Sequence, residues 1–380
     1  LRAPSDPSQG PVAPTNSDIS ELLARAADEQ EDGSQRQRAM RRASRAALGW
    51  DVRAADVVAD GLPLTTLPRV GPWLAQVIGA WIEARATAPP APPLRSGFVA
   101  RADALRTVAG ADEGWASAIR CDLQMHTVSS DGHATLEAMA RRCIALGYSH
   151  MAVTDHSEGL RIAHGMNAAT RAAQKAEVLA LNATLSAEGH DFRVLHGLEM
   201  NVEPDGSGDT DPAVLSGLDL VLGAFHSKLR LVDDQTDRYI RALHNPTIDV
   251  LAHPRGRIYN HRIGLSARWD DVFDAAAELG VALEVDAYPD RQDLDVELLR
   301  LATRHEVWVA VDTDSHHPVD LDAMPLGVAA LIEAGVPRRR VINTFARDQL
   351  LEWVAARRAR ATARTATATS WPPLNRPGPH

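Results

Sequence analysis

The chain has 380 residues, 45% of them hydrophobic, with 40 Lys/Arg against 50 Asp/Glu for a net charge of −10. This suffices for one large domain plus a smaller one, and no apolar run reaches the ~18 residues that a membrane span needs. The acidic balance excludes broad nonspecific binding to nucleic acid, though not a local grip.

The first residues, L-R-A-P-S-D-P-S-Q-G-P-V-A-P, are Pro-rich and lack an apolar signal core, so residues 1–16 are expected to be disordered and the protein cytoplasmic. From Ser17 the pattern turns helical. A helix over about 35–48 carries Arg38, Arg41, Arg42 and Arg45 at spacings of three and four. Such a stripe reads either as a solvated face or as a phosphate contact. Next comes L-T-T-L-P-R-V-G-P-W-L-A-Q-V-I-G (64–79), two short helices joined by a tight turn. A hairpin of this kind lets backbone N–H groups approach a phosphate. Arg69, Val70 and Gly71 form its tip, and Pro72 removes one donor. The reading is a helical domain over 17–86. Residues 87–118 read as a stiff Pro-rich linker with a short helix near 98–109.

Beyond 118 the sequence alternates. Strand-like runs lie near 120–125, 150–154, 193–199, 219–225, 248–252, 281–286 and 307–311, with helical patterns at 135–146, 168–187, 233–244, 267–279 and 293–304. Seven parallel strands linked by helices predict a (β/α)7 barrel. Residues 354–380, rich in Ala, Thr and Arg, read as a mobile tail. The two cysteines, Cys121 and Cys143, fit free thiols.

Six of these runs end on or beside histidine and carboxylates: C-D-L-Q-M-H-T-V-S-S-D-G (121–132), M-A-V-T-D-H (151–156), V-L-H-G-L-E (194–199), L-V-L-G-A-F-H (220–226), D-V-L-A-H-P (249–254) and V-W-V-A-V-D-T-D-S-H (307–316). A buried strand that stops on such a residue places a ligand at the rim of a sheet, and recurrence at strand after strand implies a cage for divalent cations. The acidic excess agrees, since residues 99–353 hold 24 Lys/Arg against 39 Asp/Glu.

In these motifs the chain resembles the PHP (polymerase and histidinol phosphatase) family of metal-dependent phosphoesterases over residues 119–345. T-D-H-S-E-G-L-R-I-A-H-G-M-N (154–167), L-A-H-P-R-G-R (251–257) and E-V-D-A-Y-P-D-R-Q-D-L-D (284–295) are similar to the branch at the C-terminus of bacterial family X DNA polymerases. The resemblance implies a distorted barrel over 119–353 and two or three divalent ions, Mn²⁺ or Zn²⁺. It places their ligands at Gln124, His126, Asp131, His156, Glu199, His226, His253, Asp314 and His316. Gln124 stands where the family carries His, a weaker and harder donor that favours Mn²⁺ over Zn²⁺. Asp155, His156, Glu199 and Asp314 are the expected catalytic residues. Arg161, Lys228, Arg255 and Arg257, close to ligands in sequence, are the candidates for holding substrate phosphate.

The upstream hairpin resembles a DNA-binding helix-hairpin-helix. Only 36 residues separate its end near 86 from the first motif at 122, too few for a polymerase palm, so a direct fusion of hairpin to hydrolase is expected. The expected function is phosphodiester hydrolysis at DNA ends, as a 3′–5′ exonuclease or in 3′-end repair. Two alternatives stand beside it. One is a phosphomonoesterase acting on a small metabolite such as histidinol phosphate. The other is a DNA-binding module with a weakened or regulatory barrel. DNA ends, single strands or a small phosphoester are the expected partners, with no membrane and a monomeric state.

Overall fold

The computed structural model describes residues 12–111, 114–115 and 117–367. Helices α1 (Asn16–Asp28), α2 (Gln35–Ala47), α3 (Ala54–Ala59), α4 (Pro72–Glu83) and α5 (Arg101–Gly110) precede the sheet. Then follow α6 (Leu136–Ala145), β1 (His150–Val153), α7 (Ala168–Ala187), β2 (Arg193–Asn201), α8 (Pro212–Leu215), β3 (Leu220–Ala224), α9 (Thr236–Leu243) and β4 (Val250–Ala252). The chain continues through α10 (Trp269–Leu279), β5 (Ala282–Asp286), α11 (Val296–Arg304), β6 (Val309–Asp312), α12 (Met324–Ala334) and α13 (Arg347–Thr367).

The six strands are parallel and lie side by side in chain order. Only Arg193 among their residues is exposed, as expected for a sheet covered on both faces. Ala152, Leu195, Leu222, Val250, Ala282 and Ala310 belong to one apolar cluster, which Phe345, Leu350 and Trp353 extend toward α13. Residues of the opposite parity, Leu198, Val221, Leu251, Leu283 and Val309, pack in another beneath the helices.

The predicted strand at 120–125 is not a regular strand. It is an extended segment between β1 and β6. Ala152 N–H donates to the Asp122 carbonyl (3.1 Å) and Thr154 N–H to that of Met125 (2.9 Å), while His126 N–H donates to the Ser315 carbonyl (2.8 Å). Side chains replace ladder partners here. Leu123 N–H goes to Asp312 Oδ1 (2.6 Å) and Met125 N–H to Thr154 Oγ1 (3.0 Å). The barrel is therefore six regular strands closed by an irregular seventh seam, which is the distortion.

The N-terminal helices have their own core of Ile19, Leu23, Met40, Trp50, Val57, Leu64, Val70, Leu74 and Ile78. A capping box of Thr15 with Asp18 starts α1, so order begins earlier than expected. Asn16 is buried, bonded to Val52 O and Ala54 N–H; residues 1–11 of the expected disordered segment lie outside the described residues. The hairpin has Val70 in the core, with Arg69 (φ 65°) and Gly71 exposed before α4. Residues 87–111 are packed rather than a free spacer. Arg95 reaches Glu21 (2.8 Å) and Asn260 (3.0 Å), and Ala104 of α5 packs with Ala323, Leu326 and Ala329. The expected mobile tail is helical up to Thr367. Arg357 and Arg358 fasten α13 to buried Asp249, and residues 368–380 lie outside the described residues.

Candidate metal centre

Each donor stands at or just beyond the C-terminal end of its strand or of the seam. Two of them, His253 (φ 26°) and Asp314 (φ 49°), occupy left-handed backbone unusual for such residues, which turns the chain sharply at the mouth. Gly132 lets the 127–132 loop fold back against the His126 backbone, since a Cβ there would collide with the His126 carbonyl.

Glu199, fully buried, is the hub. Its Oε2 lies 3.0 Å from His156 Nδ1 and 3.4 Å from His126 Nε2. Its Oε1 lies 3.2 Å from His226 Nε2 and 2.9 Å from His253 Nε2. Asp314 Oδ1 is 3.0 Å from His126 Nε2. Asp131 Oδ1 sits 3.5 Å from His156 Nε2 and 3.4 Å from His316 Nε2. Three overlapping groups have donor atoms within 4.8 Å of one another: His126–Asp131–His156–His316, His156–Glu199–His226 and His126–Glu199–Asp314. Eight of the nine expected positions thus converge.

The charge balance is internal. Burial pushes the Glu199 carboxyl up, but His156 and His226 override it and hold it well below the usual range. Asp131 and Asp314 are likewise held low against burial by neighbouring imidazoles. Burial lowers His156, yet Glu199 and Asp131 carry it well above its ordinary value; His316 is raised to about 9 by the same two opposing causes, with Asp131 and Asp314 as the acids. Imidazolium here does what a cation would do. His126 Nδ1, His156 Nδ1 and Glu199 Oε2 are buried without a hydrogen-bond partner. Orphaned donors of nitrogen and carboxylate type at such spacing fit divalent cations. Outer contacts fix the rings. The Asp314 carbonyl accepts from His316 Nδ1 (2.8 Å), which leaves Nε2 as the free donor atom, and Asn201 Oδ1 lies 3.2 Å from His226 Nδ1.

Several expectations need correction. Gln124 turns beneath the mouth, where its amide faces Glu284; with the amide turned so that its nitrogen meets the carboxylate, it donates to Glu284 Oε2 at 2.8 Å. Glu284 is itself fully buried, its carboxyl pushed well up by burial and by Asp312. Asp155 does not face the cluster. It accepts from Thr127 N–H (2.8 Å), Thr127 Oγ1 (2.7 Å), Ser130 Oγ (2.5 Å) and Gln174 Nε2 (2.5 Å), so it clamps the loop that carries Asp131. Arg255 and Arg257 are committed to Asp295 (2.8 and 3.1 Å), and Arg257 also stacks 3.9 Å over Phe98. Neither is available to a phosphate. Arg161 and Lys228 are exposed on their loops. Among the described residues, a cation that proximity in sequence missed faces the cluster: Arg291, 3.9 Å from Asp314. It lies in the Y-P-D-R run (288–291), beyond β5 and distant in sequence from every donor on the other strands.

The PHP domain family matches residues 122–313, just over half of the chain. The chain belongs to the PHP family. The reaction class follows: a hydrolase acting on phosphoester bonds. Among curated relatives, the DNA polymerase/3′-5′ exonuclease PolX of Bacillus subtilis (strain 168) is 37% identical over 226 residues, 59% of this chain but 39% of that protein. The PHP chain therefore spans well under half of this relative's length. A probable phosphatase of Acetivibrio thermocellus is 27% identical over 234 residues, 59% of this chain and 90% of that one. Among solved structures, the histidinol phosphate phosphatase of Lactococcus lactis, complexed with zinc, L-histidinol and phosphate, aligns with a TM-score of 0.36 at 14% identity, over 64% of this chain and 93% of that one.

Proposed function

We propose that this PHP protein hydrolyses phosphodiesters at DNA ends, as a 3′–5′ exonuclease or 3′-end-processing enzyme in repair. The convergence of eight donors, Glu199 among them as the hub, carries the hydrolase part of this reading. Similarity to a relative named a polymerase and 3′-5′ exonuclease, together with a hairpin tip that exposes Arg69 and Gly71, supports the DNA part.

His126, Asp131, His156, Glu199, His226, His253, Asp314 and His316 would hold two or three cations, Mn²⁺ or Zn²⁺. Such cations, when bound, activate water and neutralise phosphate oxygens. The remaining work falls to the chain's own residues. Glu199 joins the donor groups into one centre. Asn201 and the Asp314 carbonyl hold imidazoles in register. Asp155 keeps the 127–130 loop, and with it Asp131, in place. Arg291 offers a guanidinium fork to a non-bridging phosphate oxygen at the mouth.

A phosphomonoesterase acting on a small metabolite is the second reading, supported by the phosphatase relative that the chain nearly spans. The test is one set of incubations with Mn²⁺ on 3′-labelled duplex DNA, single-stranded DNA and histidinol phosphate. Trimming of DNA supports the first reading. Phosphate released only from the small substrate replaces it with the second. Inactivity on all three, with DNA binding retained, leaves a binding module with a regulatory barrel.

A further inference from the structure

Helix α2 joins the two parts that the sequence treats separately. At its first turn Arg36 lies over the Trp73 ring, 5.4 Å from its centroid, two residues beyond the hairpin glycine. At its last turn Arg45 pairs with Asp290, the residue before Arg291, whose guanidinium stands 3.9 Å from Asp314 of the metal centre. Tyr288, on the same loop, has both Arg45 and Asp314 among its charged neighbours. Thirteen residues at ~1.5 Å each make α2 about 20 Å long, so it spans from hairpin to mouth. The helix is anchored in that pose: Ser44 is buried and bonded to the Tyr259 hydroxyl at 2.8 Å, which also meets Ser20 at 2.9 Å.

The outer face of this helix is cationic throughout. Gln37, Met40, Ala43, Ser44 and Ala47 are buried, whereas Arg36, Arg38, Arg41, Arg42 and Arg45 are exposed, and the helix contains no acid. Arg41 approaches Asp28 loosely at 3.8 Å; among the described residues no carboxylate pairs with Arg38 or Arg42. In a chain of net charge −10, Arg38, Arg41, Arg42 and Arg45 share one face of α2, while Arg36 turns to the other side toward Trp73; four like charges on that face keep a repulsive field that folding alone would not favour. Arg255 and Arg257, by contrast, are captured by Asp295.

We propose that the α2 arginine face is a phosphate-backbone track, along which a polynucleotide strand lies between the hairpin and the metal centre and so presents its end to the mouth. The proposal rests on the DNA-end reading and adds the surface that makes the enzyme prefer a polymer over a small phosphoester. Arg38 and Arg42 take backbone phosphates, and Arg45, tied to Asp290, marks where the track meets the loop of Arg291.

The test uses the full chain with Mn²⁺ and two probes: a 5′-fluorescein single-stranded deoxyoligonucleotide, followed by anisotropy and by trimming, and bis(p-nitrophenyl) phosphate. The Arg38→Ala/Arg42→Ala double variant is expected to bind the oligonucleotide about ten-fold more weakly. Its log K against log salt slope should flatten by ~1.4, about 0.7 for each lost single-strand phosphate contact. Hydrolysis of bis(p-nitrophenyl) phosphate and the thermal melt should stay at wild-type values. The Arg38→Lys/Arg42→Lys variant should restore the slope. A wild-type slope in the double-alanine variant overturns the track, as does a wild-type protein that fails to bind the oligonucleotide. Loss of the small diester's hydrolysis in the wild-type protein would instead sink the hydrolase reading.

Discussion

The barrel buries charge at both ends, and the two ends differ in whether that charge is satisfied. At the lower end Asp249, fully buried, accepts from Arg357 Nε (2.8 Å), from Arg358 Nε and NH2 (3.1 and 2.5 Å) and from Val221 N–H (2.9 Å). Its capacity is used up within the protein. At the mouth, four residues further along the chain, His253 enters a cluster in which Glu199 Oε2, His126 Nδ1 and His156 Nδ1 make no hydrogen bond among the described residues, although Glu199 Oε2 and His156 Nδ1 stand only 3.0 Å apart. One short segment, Asp249 to His253, thus ends in a structural ion pair on one side and in chemistry on the other. Burial of a charged group does not mark a functional site. Burial that leaves electron pairs facing one another does.

The sharpest way to break this contrast is to truncate one acid at each end. Asp314→Ala at the mouth should lower phosphoester turnover by at least ~10³-fold, roughly 4 kcal/mol of transition-state stabilisation. Its ion content, read by mass spectrometry, should fall; the melt of the ion-free protein should fall too, since His126 loses its acid, but by less than in Asp249→Ala. Chelation of the wild-type protein should reproduce the loss, and added Mn²⁺ should reverse it. Asp249→Ala should do the opposite. It leaves the Arg357 guanidinium, 1% exposed, without its acid, and should cost about 3–5 kcal/mol in denaturant unfolding with turnover per folded molecule kept. If both variants fell in stability and activity alike, the distinction between the two ends would be lost.

A smaller effect separates the ends by pH. His150 begins β1 at the lower end, fully buried, its Nε2 without a partner. Burial, with Arg347 and Arg120 nearby, lowers it from 6.5 to about 4. The folded protein therefore refuses a proton that the unfolded chain accepts below pH 6.5. This contribution to stability is complete above pH 6.5 and is lost as pH falls toward 4, by roughly 3 kcal/mol at ~1.4 kcal/mol per unit. Unfolding of wild type and His150→Gln across that window should show the acid-side loss shrinking in the variant. Equal slopes would mean that the imidazole takes up its proton without cost.

Legibility from sequence followed the same division. Imidazole and carboxylate at strand ends have few other reasons to recur, so eight donors and the barrel were readable before any geometry. Gln124 was not, because a position in a motif does not say which way a side chain turns, and Glu284 inside the barrel drew its amide down. The seam at 120–125 was read as a strand because its apolar pattern is that of one; what makes it irregular is two side chains, Asp312 and Thr154, taking ladder hydrogens from the far side of the chain. The tail at 354–367 looked featureless for want of its partner, Asp249, a hundred residues earlier. Arginines were the least legible of all. Arg255, Arg257 and Arg291 lie within forty residues of one another in similar motifs, and only the placement of Asp295 decides which are captured.

Arg291 therefore gives the finest comparison, arginine against arginine at one mouth. Its side chain is 29% exposed and its nearest acid, Asp314, is 3.9 Å away, longer than a committed pair such as Arg255 with Asp295 at 2.8 Å. A side chain held near an acid but not locked to it can turn to a phosphate when one arrives. Arg291→Ala should lower kcat/KM about 10- to 30-fold, some 1.4–2 kcal/mol, the range of one charge-assisted hydrogen bond. Arg291→Lys should recover only part, because a point charge cannot reproduce the fork. Arg255→Ala should raise the unfolded fraction and leave kcat/KM per folded molecule near wild type. Were the two alanine variants to behave alike in steady-state kinetics, proximity to Asp314 would carry no meaning and the substrate's phosphate would have to be held elsewhere, with the exposed Lys228 next in line.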